Sequence, residues 1–397
     1  MPTSQPDASI LVHVFGRTDV GRTREHNEDA FAVADLTRGN ATLQPEVRTH
    51  VVGDRGTLFM VADGMGGAAA GEIASAMAIE VVMREVTEAL SGTEAPSEDD
   101  FASAIKKATA AANGQIHIFA QEHPEFRGMG TTATVAGLLG DTLFLAQVGD
   151  SRAYLVRNGV GRQITKDQSL MQKLIEAGEI TEEEAEHSER RNIILQALGP
   201  EANIKVDLTH QQVRKGDILL LCSDGLSGQV RGEELAQIAS EESDLVQACK
   251  RMIDRANENG GPDNITVIAA RFDGEGLASP GGLDDVGHRV FALAADTGQS
   301  LAASRAPTPP SNPIVSTGAH EVRRPTQKII TPEEFKLTSS IPDDTAAARM
   351  RRSRGTLIAA LFLLLFMGLA MWWVFRTAEQ VVAPRHTGVA TPADVRP

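Results

Sequence analysis

The feature that most constrains this chain is a recurring unit: a short apolar run, bounded by glycine, that closes on an aspartate. "TLFMVADG" carries Asp63, "TLFLAQVGD" carries Asp150 and "DILLLCSDG" carries Asp224. A fourth, Asp263 in "GGPDNITVIAARF", stands just before such a run. Such short apolar runs, bounded by Gly and Asp, read as buried strands. "TTATVAGLLG" is another of them. Any one Asp-Gly is ordinary turn chemistry. Repetition at strand ends points instead to carboxylates held against one another on rigid backbone.

Helical patterns alternate with these strands without following each one. "GEIASAMAIEVVMREVTEAL" and "EDDFASAIKKATAAANGQIHIFA" come back to back, rich in alanine and apolar at helical spacing. "SDLVQACKRMIDRANENG" offers Ser243 as a cap and Asn-Gly as a stop. Grouped strands and grouped helices predict an α+β layered domain over residues 1–272. Residues 273–354 shift to Gly, Pro, Ser, Thr and Ala, with too few large apolar groups to offset ordering entropy, and predict a flexible linker. From Leu357, "LIAALFLLLFMGLAMWWVF" runs to Phe375 without a charge, which predicts a transmembrane helix within residues 355–376. Arg349, Arg351, Arg352 and Arg354 crowd its N-terminal end, and Trp372 and Trp373 lie near the other. The positive-inside tendency then puts the domain in the cytoplasm of a single-pass inner-membrane protein, with residues 377–397 as a short tail outside.

A formal charge of -15 argues against nucleic acid as a partner, which needs a basic face. Converging carboxylates must take up protons or bind cations. Oxygen ligands without a His/Cys cluster select Mg²⁺ or Mn²⁺. "DVGRTREHNEDAF", Asp19 to Phe31, adds Arg24 for an anion and Glu28 or Asp29 for a cation shell, unless it is a solvated charged turn. The chain has no P-loop, no G-x-S-x-G elbow and no H-E-x-x-H. Cys222 has Gly228, not arginine, six positions on, so a phosphocysteine mechanism lacks its anion cradle. Two cysteines make no disulfide framework and suggest a reducing compartment. Metal-assisted hydrolysis remains.

In order, "TREHNEDAF", "FMVADGMGG", "GMGTTATVAGL", "LAQVGDSRAYLVRNG", "QITKDQSL", "LLLCSDGLS" and "GGPDNITVI" resemble the successive motifs of the metal-dependent serine/threonine protein phosphatases, the type 2C or PPM family, and "DGMGG" resembles its bacterial branch. The resemblance implies a four-layer α-β-β-α sandwich, two central antiparallel sheets flanked by helices. It implies hydrolysis of phosphoserine and phosphothreonine in proteins by a hydroxide between two Mn²⁺ or Mg²⁺ ions, opposing serine/threonine kinases that would be among its partners. By resemblance, Arg24 holds the substrate phosphate, Glu28 binds a metal through water or directly, and Asp29 orients metal-bound water. Asp63 would bridge the metals, the Gly64 carbonyl would ligate one, Asp224 and Asp263 would complete the other, and Asp150 with Asp224 would hold a weaker third. Two positions depart from the pattern: Met65 replaces a histidine proton donor of eukaryotic members, and Gly228 replaces an aspartate that in some relatives serves the third metal. Residues 166–203 resemble the mobile flap of bacterial members; otherwise they form a charged surface hairpin of helices. Other readings are a phosphatase dedicated to one signalling partner and an inactive phosphoprotein-binding module.

Overall fold

The computed structural model describes residues 9–38, 49–67, 69–283 and 286–294. Its strands, numbered along the chain, begin with β1 (Leu11–Asp19), β2 (Asp29–Asp35), β3 (Thr49–Val51) and β4 (Thr57–Met65). Helices α1 (Ala70–Leu90) and α2 (Glu98–Glu122) follow, then β5 (Gly130–Thr131), β6 (Ala133–Leu139), β7 (Thr142–Val148), β8 (Arg152–Arg157) and β9 (Val160–Gln163). Two short helices, α3 (Leu170–Glu176) and α4 (Glu182–Glu186), precede β10 (Asp207–Gln212) and β11 (Ile218–Cys222). The one-turn α5 (Asp224–Ser227), then α6 (Gly232–Glu241) and α7 (Leu245–Glu258), lead to β12 (Ile265–Asp273).

The strands pair antiparallel into two six-stranded sheets. The first runs β3-β1-β12-β11-β8-β9; the second runs β10-β7-β6-β4-β2, with β5 on β4. Period-two alternation decides which side chain serves which layer. Leu219 and Leu221 of β11 face the core between the sheets, with Phe59, Val61, Leu143, Leu145, Ile268 and Phe272. Ile218, Leu220 and Cys222 of the same strand face outward, under α6 and α7 with Leu235, Ile238, Met252 and Ile253. Both faces of β11 are thus covered, which is why "ILLLC" carries no polar residue. Each fully buried Leu or Phe contributes about 1.5–3 kcal/mol. On the far side, α1 and α2 pack together over β4, β6 and β7 through Ala74, Ala78, Val81, Phe101 and Ile105. Alanines at helical spacing let α1 approach the sheet closely. The result is the four-layer α+β arrangement.

Two expectations need correcting. The cap of α7 is Asp244, whose side chain accepts from the Val246 N–H, rather than Ser243. More important, the domain does not end at residue 272. Leu277 and Val286 enter the core between the sheets. The Arg289 carbonyl accepts from the His210 N–H at 2.9 Å, and the Phe291 N–H donates to the Leu208 carbonyl at 2.9 Å, so this strap lies along the free edge of β10. Phe291 packs edge-on against Phe144. Averaged composition hid it, because a few large apolar residues spaced along a Gly-rich strap suffice to cover a sheet edge. The rest of the expected linker, the expected membrane span and the tail lie outside the described residues. Among the described residues no helix is long and apolar enough to cross a membrane.

Candidate active site

Strand ends from both sheets meet at one end of the sandwich. Asp29 opens β2 and lies directly opposite Asp63 of β4, so the two side chains share a face. Asp63 is therefore inside its strand rather than at its end. Asp224 starts α5 two residues after β11, and Asp263 lies two residues before β12, the strand hydrogen-bonded to β11. Asp150 follows β7 across Gly149, whose φ of 100 favours glycine. The loop of residues 20–28 crosses from β1 in the first sheet to β2 in the second. That crossing brings Arg24 and Glu28 to the same end.

Polar neighbours hold these carboxylates. Ser223 Oγ donates to Asp29 Oδ2 at 2.8 Å and accepts from the Thr266 N–H at 3.0 Å. Thr132 brackets Asp63: its Oγ1 accepts from the Asp63 N–H at 3.0 Å and its N–H donates to the Asp63 carbonyl at 2.9 Å. Asn264 ties the loop to β12. It accepts from the Glu28 N–H at 2.8 Å and donates to the Val20 and His26 carbonyls at 3.0 and 2.9 Å. None of Ser223, Thr132, Asn264 and Thr266 stood out in the sequence. For Ser223 and Asn264 the signal is a polar residue beside an aspartate, in "SD" and "DN"; Thr132 and Thr266 carry no such local signal.

Gly64 is demanded by close approach of three backbones. A Cβ there would fall 2.2 Å from the Gly71 carbonyl oxygen and 2.4 Å from that of Glu28. The Glu28 carboxylate lies against Gly71 in the first turn of α1, where a Cβ would meet Oε2 at 2.3 Å.

Electrostatics show that the acids face one another. Burial pushes Asp29 up to about 7, with Asp224 and Asp263 adding repulsion. Burial, then Asp29, Asp224 and Asp150, raises Asp63 well above the usual carboxylate range. Asp150 is pushed to about 8, first by burial and next by Asp224. Asp224 and Glu28 are raised too, again first by burial. Arg24 is about half exposed and donates to Asp263 Oδ2 at 2.8 Å, a bond that raises its own pKa. Asp263 occupies one corner of the guanidinium fork, and the remaining N–H donors are available geometrically for an oxyanion.

Such a set suits hard divalent cations. The donors are all oxygen, and buried like charges lose their mutual cost when a cation lies between them. Asp150 Oδ1 is buried with no hydrogen-bond partner among the described residues, as expected of a lone pair meant for a cation. Among those residues no three His, Cys, Asp or Glu side chains are gathered tightly enough to enclose an ion by themselves. All eight expected site residues, Arg24, Glu28, Asp29, Asp63, Gly64, Asp150, Asp224 and Asp263, belong to this one end of the sandwich. Met65, at the end of β4 beside Gly130, offers no proton.

The sequence profile of the family described as "Protein phosphatase 2C" matches residues 37–268. Serine/threonine phosphatase stp of Listeria monocytogenes is 37% identical over 265 residues, 66% of this chain and 96% of that protein. Serine/threonine protein phosphatase PstP of Mycobacterium tuberculosis is 35% identical over 263 residues, 66% of this chain and 45% of that protein. The crystal structure of the M. tuberculosis phosphatase PstP/Ppp superposes with a TM-score of 0.56 at 34% identity, covering 66% of this chain and 99% of that one. The PstP catalytic domain in complex with two manganese ions superposes with a TM-score of 0.55 at 33% identity, covering 66% and 99%.

Proposed function

Since this chain belongs to the protein phosphatase 2C family of bacterial metal-dependent protein serine/threonine phosphatases, we propose that its converging carboxylates hold the Mn²⁺ or Mg²⁺ ions with which it removes phosphate from phosphoserine and phosphothreonine in proteins. The observation that carries this assignment is the gathering of Asp29 and Asp63, paired across β2 and β4, with Asp150, Asp224 and the partly exposed Asp263 at one end of the sandwich, beside a half-exposed arginine. In this reading Asp63 would serve both core ions, Glu28 and the Gly64 carbonyl would hold one, and Asp224 with Asp263 would hold the other. Two such ions, when bound, supply positive charge to offset the phosphate dianion and lower the pKa of water into the neutral range.

The remaining work falls to the chain itself. Asp29, fixed by the hydroxyl of Ser223, would orient the attacking water by accepting a hydrogen bond from it. Arg24, half exposed and bonded to Asp263, would hold phosphate oxygens with its remaining N–H groups. Asp150 with Asp224 would hold a third, weaker ion; the buried, unpartnered Asp150 Oδ1 supports this, and the glycine at 228 adds no charge to the site. With Met65 in the donor position, the leaving serine oxygen takes its proton from water. Targets are phosphoproteins that include serine/threonine kinases. Residues 355–376 anchor the chain in the inner membrane with the domain on the cytoplasmic side, supported by the uncharged run and its arginine flank.

The assignment is tested on p-nitrophenyl phosphate and a phosphothreonine peptide. Activity should require added Mn²⁺ or Mg²⁺ and vanish with chelator. Asp63→Asn and Asp224→Asn should each lose at least about 100-fold. Full activity of either variant overturns it.

A further inference from the structure

The segment between β9 and β10 is anchored at its base and loosely held at its tip. Thr165, Gln168 and Ser169 at its entry and Leu198 and Val206 near its exit are buried. Ile193 and Leu195 are 44% and 47% exposed, and α4 reaches the body through an exposed Arg231–Glu186 ion pair. One side chain joins the two ends. Gln168 Oε1 accepts from the Gly149 N–H at 3.0 Å, while its Nε2 donates to Asp207 Oδ2 at 3.0 Å and, at 3.4 Å, to the Lys205 and Gln147 carbonyls. Its own N–H donates to the Gly149 carbonyl at 2.9 Å, and its carbonyl accepts from the Leu195 N–H at 2.8 Å. Entry and exit of the segment therefore meet at Gln168, which itself bonds the turn that carries Asp150.

The chemistry of the two partners fixes the residue type. A backbone N–H on one side needs an acceptor, and a carboxylate on the other needs a donor. Glutamate would satisfy Gly149 and repel Asp207; methionine, of similar size, would satisfy neither. The contact also continues inward. Ser151, next to Asp150, shares a 2.8 Å hydroxyl bond with Thr132, the residue that brackets Asp63. Gln147 Nε2 donates to the Ser151 and Gly149 carbonyls at 2.7 and 3.2 Å.

We infer that Gln168 is a positioning residue that locks the Asp150 turn and both ends of the 166–206 segment into one unit, so that the placement of this segment sets turnover of phosphorylated polypeptides. This rests on the phosphatase assignment above. Small aryl phosphates, which do not reach an exposed segment, depend on it less.

The test uses the full chain with Gln168→Met, Gln168→Glu and the double variant Gln168→Glu/Asp207→Asn. Two readouts are taken: trypsin cleavage of the metal-free protein at Lys173, Arg190 and Arg191, and kcat and KM with Mn²⁺ on a phosphothreonine peptide and on p-nitrophenyl phosphate. Gln168→Met and Gln168→Glu should be cleaved at least about 5-fold faster and lose about 10-fold in kcat/KM on the peptide, with less than about 3-fold change on p-nitrophenyl phosphate. In the double variant the asparagine amide donates to the introduced carboxylate. Both readouts should return to within about 2-fold of the parent. Unchanged cleavage in the single variants, equal losses on both substrates, or no rescue overturns the inference. If Gln168→Met fails to fold, the Gln168→Glu pair still decides it. An inactive parent protein would sink the phosphatase assignment, while the cleavage readout would still judge whether Gln168 holds the segment.

Discussion

Breaking the ion pair between Arg157 and Asp217 should be the most destabilising single charge removal in this domain. The two side chains are 0% and 1% exposed. Arg157 Nε and Nη2 donate to Asp217 Oδ1 and Oδ2 at 2.9 and 2.7 Å, Nη2 also to the Gln212 carbonyl at 2.9 Å, and Nη1 to the Gly282 carbonyl at 3.4 Å. Asp217 Oδ2 accepts in addition from the Arg214 N–H at 2.8 Å. The pair therefore fastens β8, the turn before β11 and the strap after β12 together. Arg157→Met strands a buried carboxylate with one backbone donor and should cost about 3–5 kcal/mol, the range for an unpaired buried charge. That is a large share of the roughly 5–15 kcal/mol available to a domain. Asp217→Asn keeps one acceptor and should fall near the lower end of the same range. Arg157→Met/Asp217→Leu removes both charges and leaves only neutral backbone groups unpaired, so it should cost about 1–3 kcal/mol, less than Arg157→Met alone. Urea unfolding followed by far-UV circular dichroism measures all three. Tryptophan fluorescence does not serve, because Trp372 and Trp373 both lie outside the described domain. A single variant within about 1 kcal/mol of the parent, or a double variant less stable than both singles, refutes the reasoning.

Asp150→Ala should leave two ions bound in a calorimetric titration yet lower turnover more on a phosphopeptide than on p-nitrophenyl phosphate, whose leaving group needs no proton; loss of the core ions would make Asp150 a structural turn residue instead. Cys222 and Cys249 are both fully buried with thiols pushed up to about 12, first by burial, so native protein should resist a thiol-disulfide reagent until unfolded, and rapid labelling at neutral pH contradicts the packing. His50, bonded through Nε2 to Thr57 Oγ1 at 2.8 Å, has its pKa lowered by burial. The unfolded chain binds that proton more readily, so this contribution is full above the unfolded value and is lost as pH falls toward the folded one. Urea midpoints at about pH 7.5 and about pH 5.5 should therefore differ more for the parent than for His50→Gln, and equal differences would dismiss His50 as a source of acid sensitivity.

What could be read from the sequence divides along a physical line. Strands such as "ILLLC" and "TLFMVA" announce themselves, because burial on both faces leaves no room for polar residues. The aspartates at or near their ends were visible for the same reason: a charge ending an apolar run is conspicuous. Register was not. That Asp29 lies opposite Asp63, or that β11 pairs with β12 so as to bring Asp224 beside Asp263, depends on contacts between residues far apart in the chain. Local pattern carries no term for such pairings. The strap of residues 274–294 was missed because its composition is that of a linker while its few large side chains fill gaps that only the folded sheets create. Residues like Asn264 and Gln168 were missed for a related reason. Asparagine and glutamine look alike in a loop or in a site, and they gain meaning only when donor and acceptor partners are known on both sides of the amide. Short polar-apolar junctions therefore show where chemistry is placed, and the neutral amides beside them show how it is held. Locating the second group requires the fold.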